Sequence, residues 1–232
     1  MRVLGIDTST LMGSVALLDG EVVVAEYSLS VSTTHSERLL STIHRLFDES
    51  GSTVTALDAL AIAVGPGSFT GLRIGLATAK GLALASGHPL VGVPTLDALA
   101  WGVPFAAYPV CPLLDAKKGE VYTALYRHRH RDLERLTEYR ALSPDRLLME
   151  LEGPICFLGD GVLAYRERIV EVMGDRAYFV PPPRSYPSGA CVAELGARRL
   201  AQGDLGDPVA LVPMYVRPSE AELAKARRAA QN

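Results

Sequence analysis

Val3-Leu4-Gly5-Ile6-Asp7-Thr8-Ser9-Thr10, near the N-terminus, and Val110-Cys111-Pro112-Leu113-Leu114-Asp115-Ala116-Lys117-Lys118-Gly119, half-way along, are written to one plan. Each is an apolar run of strand length that ends in an aspartate and breaks into a short polar turn. A second strand pattern follows each, Ser14–Leu18 in the first case and Glu120–Tyr126 in the second. Asp7 and Asp115 stand 108 positions apart in a chain of 232.

The segments around these hairpins complete a repeat. Val22–Tyr27 reads as a third strand, joined to Ser14–Leu18 at the turn Asp19-Gly20. Ser36–Ser50 reads as a helix, with Leu39, Leu40, Ile43, Leu46 and Phe47 at the spacing of one face. Ala59–Val64 is a strand, Thr70–Ser86 a helix closed by Gly87, and Leu90–Val93 a strand. Thr95–Trp101 is a short helix with Thr95 as its N-cap. The later chain predicts a strand over Leu136–Ala141, a helix over Pro144–Leu151 and a strand over Ile155–Gly159. Helices over Val162–Met173 and Ser188–Gln202 close it. The expectation is a duplicated α/β fold in which each of two subdomains, 1–105 and 106–232, has a mixed sheet and flanking helices. The two hairpins then face one cleft. This pattern resembles the actin-like (ASKHA) architecture shared by actin, hexokinase and the heat-shock chaperone ATPases.

Composition narrows the class. Hydrophobic residues are 48% and charged residues 21%, enough apolar material for a sizeable core and too little charge for a disordered chain. A net charge of −3 argues against a protein that coats nucleic acid by charge alone. Cys111, Cys156 and Cys191 lack the short spacing of a zinc site or disulfide framework, and read as reduced thiols. The N-terminus enters a strand directly, and the most apolar stretch, Leu72–Ala85, is interrupted by Arg73 and Lys80. A cytoplasmic protein without a membrane span is expected.

In nucleotide-binding proteins of the actin-like type, such hairpins wrap phosphates with backbone N–H groups and hydroxyls, and the aspartate serves Mg²⁺ or a water. Asp7, Thr8, Ser9, Asp115 and Lys117 are the groups available here, against the plain reading that each caps a tight turn. Ser9 stands where a glycine would let backbone approach phosphate closely, so only weak binding of ATP or ADP is expected, with Mg²⁺ at the level of a complex. Gly159-Asp160-Gly161 is a weak candidate for an adenine pocket.

Gly65-Pro66-Gly67-Ser68-Phe69-Thr70-Gly71-Leu72-Arg73-Ile74-Gly75 fits no generic catalytic motif. No Lys-Ser/Thr follows the glycines, the third glycine is one place late for a dinucleotide fingerprint, and Gly67 directly precedes Ser68. What stands out is packing. Gly71, Gly75 and Ala79 recur every four residues, a bare stripe on a helix that is otherwise apolar nearly all round. Burial within its own domain explains such a helix; contact with another chain is the sharper expectation. A few Leu and Ile side chains at roughly 1.5–3 kcal/mol each are ample for a stable dimer.

This segment looks like the signature of the TsaB (YeaZ) family, the bacterial accessory subunit for threonylcarbamoyladenosine formation in tRNA. Gly5-Ile6-Asp7-Thr8-Ser9, Thr34-His35-Ser36-Glu37-Arg38-Leu39-Leu40, Pro94-Thr95-Leu96-Asp97-Ala98-Leu99, Leu114–Tyr122 and Pro213-Met214-Tyr215-Val216-Arg217 match as well. The resemblance implies a cytoplasmic protein that dimerises through its N-terminal helices and pairs with the catalytic subunit TsaD and the ATPase TsaE. The catalytic sister holds a metal with two histidines four apart, where this chain has Thr95 and Leu99. His35, His44, His88, His128 and His130 supply no replacement pair, and the last two are expected in an exposed turn. No metal site or catalytic residue is assigned. The basic clusters Arg127–Arg135 and Lys225–Arg228 read as solvated charge, and Glu220–Gln231 as a terminal helix or a frayed tail.

The leading expectation is therefore a partner subunit for tRNA N6-threonylcarbamoylation, with tRNA reached through the complex and a homodimer formed when alone. Its interface would comprise Leu39, Leu40, Ile43, Leu72, Ile74, Gly75, Leu76 and Ala79. The alternative is a stand-alone nucleotide-dependent enzyme, a small-molecule kinase or ATPase that uses Asp7 and Asp115.

Overall fold

The computed structural model describes residues 1–30, 35–130, 132–204 and 206–217, with the side chains of 35–37 left aside. Two mixed sheets carry the chain. In the first, β1 (Arg2–Asp7), β2 (Met12–Asp19) and β3 (Val22–Ser30) form an antiparallel meander, turned at Gly20. β4 (Ala59–Gly65) and β5 (Leu90–Pro94) then add parallel to β1, giving the order β3-β2-β1-β4-β5. Parallel neighbours need long crossovers, and the helices α1 (His35–Ser50) and α2 (Phe69–Ser86) supply them. Ser68 caps the start of α2, accepting from Gly71 N, and Gly87 closes it in the left-handed conformation.

The second sheet repeats the scheme from β6 (Val110–Lys117) and β7 (Glu120–Thr123), in the order β10-β7-β6-β11-β12. Here β10 is Arg140–Leu142, β11 Ile155–Leu158 and β12 Ala177–Phe179. The strand expected over Glu120–Tyr126 breaks at Ala124-Leu125, where Leu125 binds Thr137 Oγ1 and Leu136 N instead of a ladder. Beyond the break, β8 (Tyr126–Arg129) pairs with β9 (Asp132–Arg135). His128 therefore lies on a strand, half-buried, and not in an exposed turn. Helices α4 (Pro144–Glu150) and α5 (Asp160–Met173) cover one face of this sheet.

Alternation along the first sheet assigns its two faces. Leu4, Ile6, Leu60 and Ile62 meet α1 and α2, while Val3, Ala59, Ala61 and Ala63 face the other way, toward α6 (Gly189–Ala201). The sequence reading puts α6 with the second half, but it returns to the first sheet. Small residues on both sides let it sit backbone to backbone: a β-carbon on Gly5 would overlap Gly189 O, and one on Gly196 would overlap Ala61 Cβ. The segment 206–217 returns too, with Met214 N on Val64 O at 2.7 Å and Lys80 Nζ on Val209 O at 3.1 Å. Between the sheets sits α3 (Thr95–Trp101), its Ala98 against the first and its Leu96, Leu99 and Ala100 against the second. Pro94, not Thr95, occupies its N-cap position. Among the described residues no helix is long and apolar enough to cross a membrane.

Candidate functional site

The first hairpin is sealed. Asp7, Thr8 and Ser9 are at most 1% exposed. Asp7 Oδ1 accepts from Ser9 N (2.8 Å) and Ser9 Oγ (2.6 Å), whereas Oδ2 has no hydrogen-bond partner among the described residues. Burial pushes the Asp7 carboxyl up to about 6, against the downward pull of the two Ser9 bonds. Thr8 Oγ1 donates to Gly71 O at 2.8 Å, and Ser68 N donates to Ser9 O at 2.6 Å.

The glycine segment is the lid on this hairpin. β-Carbons on Gly67, Gly71 and Gly75 would overlap Ser9 O, Thr8 O and Thr8 Oγ1 respectively. The close backbone approach read from the sequence is therefore real, but its partner is the chain's own first turn. The second half repeats the device. Gly159 and Gly161, at the start of α5, lie against the backbone of Leu113 on β6, and Asp160 Oδ1 accepts from Asp115 N at 3.1 Å. Gly159 and Gly161 thus allow α5 to start hard against β6. Burial raises the Asp160 pKa above the usual carboxylate range.

Asp115 pairs with Lys117 through both carboxylate oxygens, at 2.8 Å to Lys117 N and 2.7 Å to Nζ. Hydrogen bonding to Asp115 raises the Lys117 pKa. No hydrogen bond or ion pair joins these groups to Asp7, Thr8 or Ser9 among the described residues. The donors that would wrap a phosphate at the first hairpin are engaged internally. A divalent cation does not fit this donor set either. Asp7 offers one uncommitted oxygen, and no three His, Cys, Asp or Glu side chains converge among the described residues.

On α3, Thr95 and Leu99 are buried, and Thr95 Oγ1 has no hydrogen-bond partner among the described residues. Between them Asp97 clamps the helix to the second sheet, accepting from Tyr126 OH (2.7 Å) and Tyr139 OH (2.8 Å). Burial raises the pKa of both phenols. Three imidazoles are tied to neighbouring groups: His44 to Asp48, His88 to Val54 O and His128 to Ala100 O.

The residues expected at a partner interface differ in exposure. Leu39, Ile43, Leu72, Gly75, Leu76 and Ala79 are all buried within this chain. Ile74 is half-buried, and Leu40 is 56% exposed. What α2 shows to the outside is a second small-residue stripe, Ala77, Gly81 and Ala85, flanked by Leu84 at 64% exposure. A β-carbon on Gly81 would meet nothing within 4 Å. The stripe has the same four-residue spacing as Gly71, Gly75 and Ala79, but the sequence reading did not single it out. Past its start, Phe69 stacks on Tyr215 (5.4 Å), with the Arg73 guanidinium 3.8 Å above the Phe69 ring. Lys225–Arg228 and Glu220–Gln231 lie outside the described residues.

Two mixed sheets, each opening on an aspartate-ended hairpin roofed by a glycine-led helix, define a chain of the actin-like fold. Component A of (R)-2-hydroxyglutaryl-CoA dehydratase from Acidaminococcus fermentans shares it, with a TM-score of 0.54 at 11% identity over 87% of this chain and 99% of that one. A family model described as TsaD, tRNA N6-adenosine threonylcarbamoyltransferase, matches residues 28–224. The tRNA threonylcarbamoyladenosine biosynthesis protein TsaB of Bacillus subtilis is 32% identical over 96% of both chains. YeaZ from Pseudomonas aeruginosa superposes with a TM-score of 0.79 at 29% identity, covering 92% of this chain and 99% of its own. The chain belongs to the TsaB family.

Proposed function

We propose that this chain is a non-catalytic subunit in the threonylcarbamoylation of N6 of the adenosine next to the anticodon, in tRNAs that read codons beginning with A. It binds a TsaD-like catalytic subunit, works with a TsaE-like ATPase in the cytoplasm and reaches tRNA through that complex. Family membership supports the pathway. The observation that carries the subunit role is the outward face of α2, a bare stripe of Ala77, Gly81 and Ala85 beside Leu84. A partner helix can approach the backbone closely there, and covering a side chain as open as Leu84 contributes about 1–2 kcal/mol. The same face serves a homodimer when the partner is absent, and mass action sets the balance. Asp97 and Leu99 on α3 are consistent with chemistry that resides in the partner, since both are engaged in holding the fold together.

The test is reconstitution of tRNA modification with Gly81→Arg and Leu84→Glu. Neither position touches the core, so both variants should melt like the parent yet fail to retain the catalytic subunit and fail to support modification. Full modification with both would overturn the interface.

A further inference from the structure

A cleft of about 750 Å³ opens away from both hairpins, and none of Asp7, Thr8, Ser9, Asp115 or Lys117 lines it. Its size falls within the range of small-molecule sites. The outer flank of α6 forms the floor, and the chain just past α3, the β8–β9 turn and the β2–β3 turn form the walls.

Its aromatic side is built unevenly. Trp101 is locked, donating from Nε1 to Glu194 Oε2 at 2.9 Å, with the Arg198 guanidinium 4.3 Å from the ring centre and the His128 ring 6.2 Å away. Phe105 is the reverse, 85% exposed and held at φ +63°, a left-handed conformation disfavoured for a bulky side chain. No hydrogen bond, ion pair or ring contact involving the Phe105 side chain is found among the described residues, and backbone outliers of this kind gather where a ligand is clamped. The charges are uneven as well. Glu26 is satisfied by Ser14 Oγ, Ser188 Oγ and Ala190 N, and Glu194 by Trp101 and Arg198. Glu21 stands on the β2–β3 turn. The side chains of Arg184 and His130 line the same cleft and make no hydrogen bond or ion pair with another described residue.

We infer that this cleft is a nucleotide site, separate from the Asp7 hairpin, that stacks an aromatic base on Phe105 beside Trp101 and takes its phosphate at Arg184 and His130. Stacking on an aromatic face tolerates any base, and guanidinium groups suit phosphate oxygens. A free nucleotide and an unpaired nucleotide of an RNA strand share this chemistry.

Trp101 is the sole tryptophan of the chain, so its fluorescence reports the cleft directly. The full chain is titrated with AMP, with a short single-stranded oligoadenylate and with an RNA duplex. Saturable quenching by AMP or by the single strand is expected. AMP alone binding identifies a free nucleotide, and a single strand binding tenfold tighter than AMP identifies RNA. Phe105→Ala should weaken that binding by about tenfold or more. Arg184→Glu should weaken it and flatten its salt dependence. Circular dichroism checks the fold of both variants. No saturable quenching by any of the three overturns the proposal, as does a preference for duplex or binding unchanged in both variants. The assay needs no partner subunit, so it stands or falls separately from the α2 interface.

Discussion

Alanine at Gly75 and alanine at Gly81 should change stability in opposite directions, although the two glycines sit less than two turns apart on α2. At Gly75 the new carbon would overlap Thr8 Oγ1 and come within 3.2 Å of Ile62 Cδ1 and 3.3 Å of Thr8 Cβ. Thr8 can clear the overlap only by rotating, which breaks its 2.8 Å bond to Gly71 O in a place sealed from water. Leaving those two groups unpaired costs about 1–3 kcal/mol. Overpacking against Ile62 adds about 1–3 kcal/mol. Better helix propensity offsets about 1 kcal/mol, so the net loss is roughly 3 kcal/mol. At Gly81 the propensity gain is unopposed, since a β-carbon there faces open space. Urea unfolding of the isolated chain measures both. With a slope of about 2–3 kcal/mol/M, Gly75→Ala should lower the midpoint by about 1 M and Gly81→Ala should raise it slightly. A Gly75→Ala midpoint at or above the parent's would refute the reasoning, because the bare stripe would then face outward after all.

Other consequences are testable on the same protein. Because burial lifts the Asp7 carboxyl to about 6 from 3.8, the folded state holds that proton more tightly than the unfolded chain. The stability it contributes is whole below about pH 4 and is lost as pH rises through about 6, a change on the order of 3 kcal/mol. Asp7→Asn should flatten the urea midpoint between those pH values, and an identical slope in the variant would exclude Asp7 as its source. Asp97→Ala strands the hydroxyls of Tyr126 and Tyr139 and should cost about 2–4 kcal/mol. Adding Tyr126→Phe and Tyr139→Phe should recover part of that loss, and no recovery would mean that Asp97 acts by some other contact.

Much of the fold could be read from local signals. Of the helix face read from Leu39, Leu40, Ile43, Leu46 and Phe47, four residues are buried as the periodicity predicts, and Leu40 is turned out to solvent. Gly20 turns its hairpin and Gly87 ends α2. The three-residue strand β12 and the hairpin of β8 with β9 were not legible, being too short or too charged to carry an apolar period. The return of α6 left only an indirect trace, the small residues Gly5, Ala59, Ala61 and Ala63 on one side of two strands.

Read without coordinates, the chain already shows a repeated aspartate-ended hairpin, a bare stripe on α2 and no histidine pair on α3. Residue identity and spacing are enough for each of those statements. The direction that this stripe faces comes from tertiary packing. A helix apolar on nearly every side has no direction of its own, and the turn at Thr8 that fills Gly71 and Gly75 lies more than sixty residues away in the chain. Tertiary packing likewise buries the Asp7 carboxyl, by placing the glycine segment over its hairpin. It also brought α3, α6 and the β8–β9 turn together around a cleft that no local pattern announces.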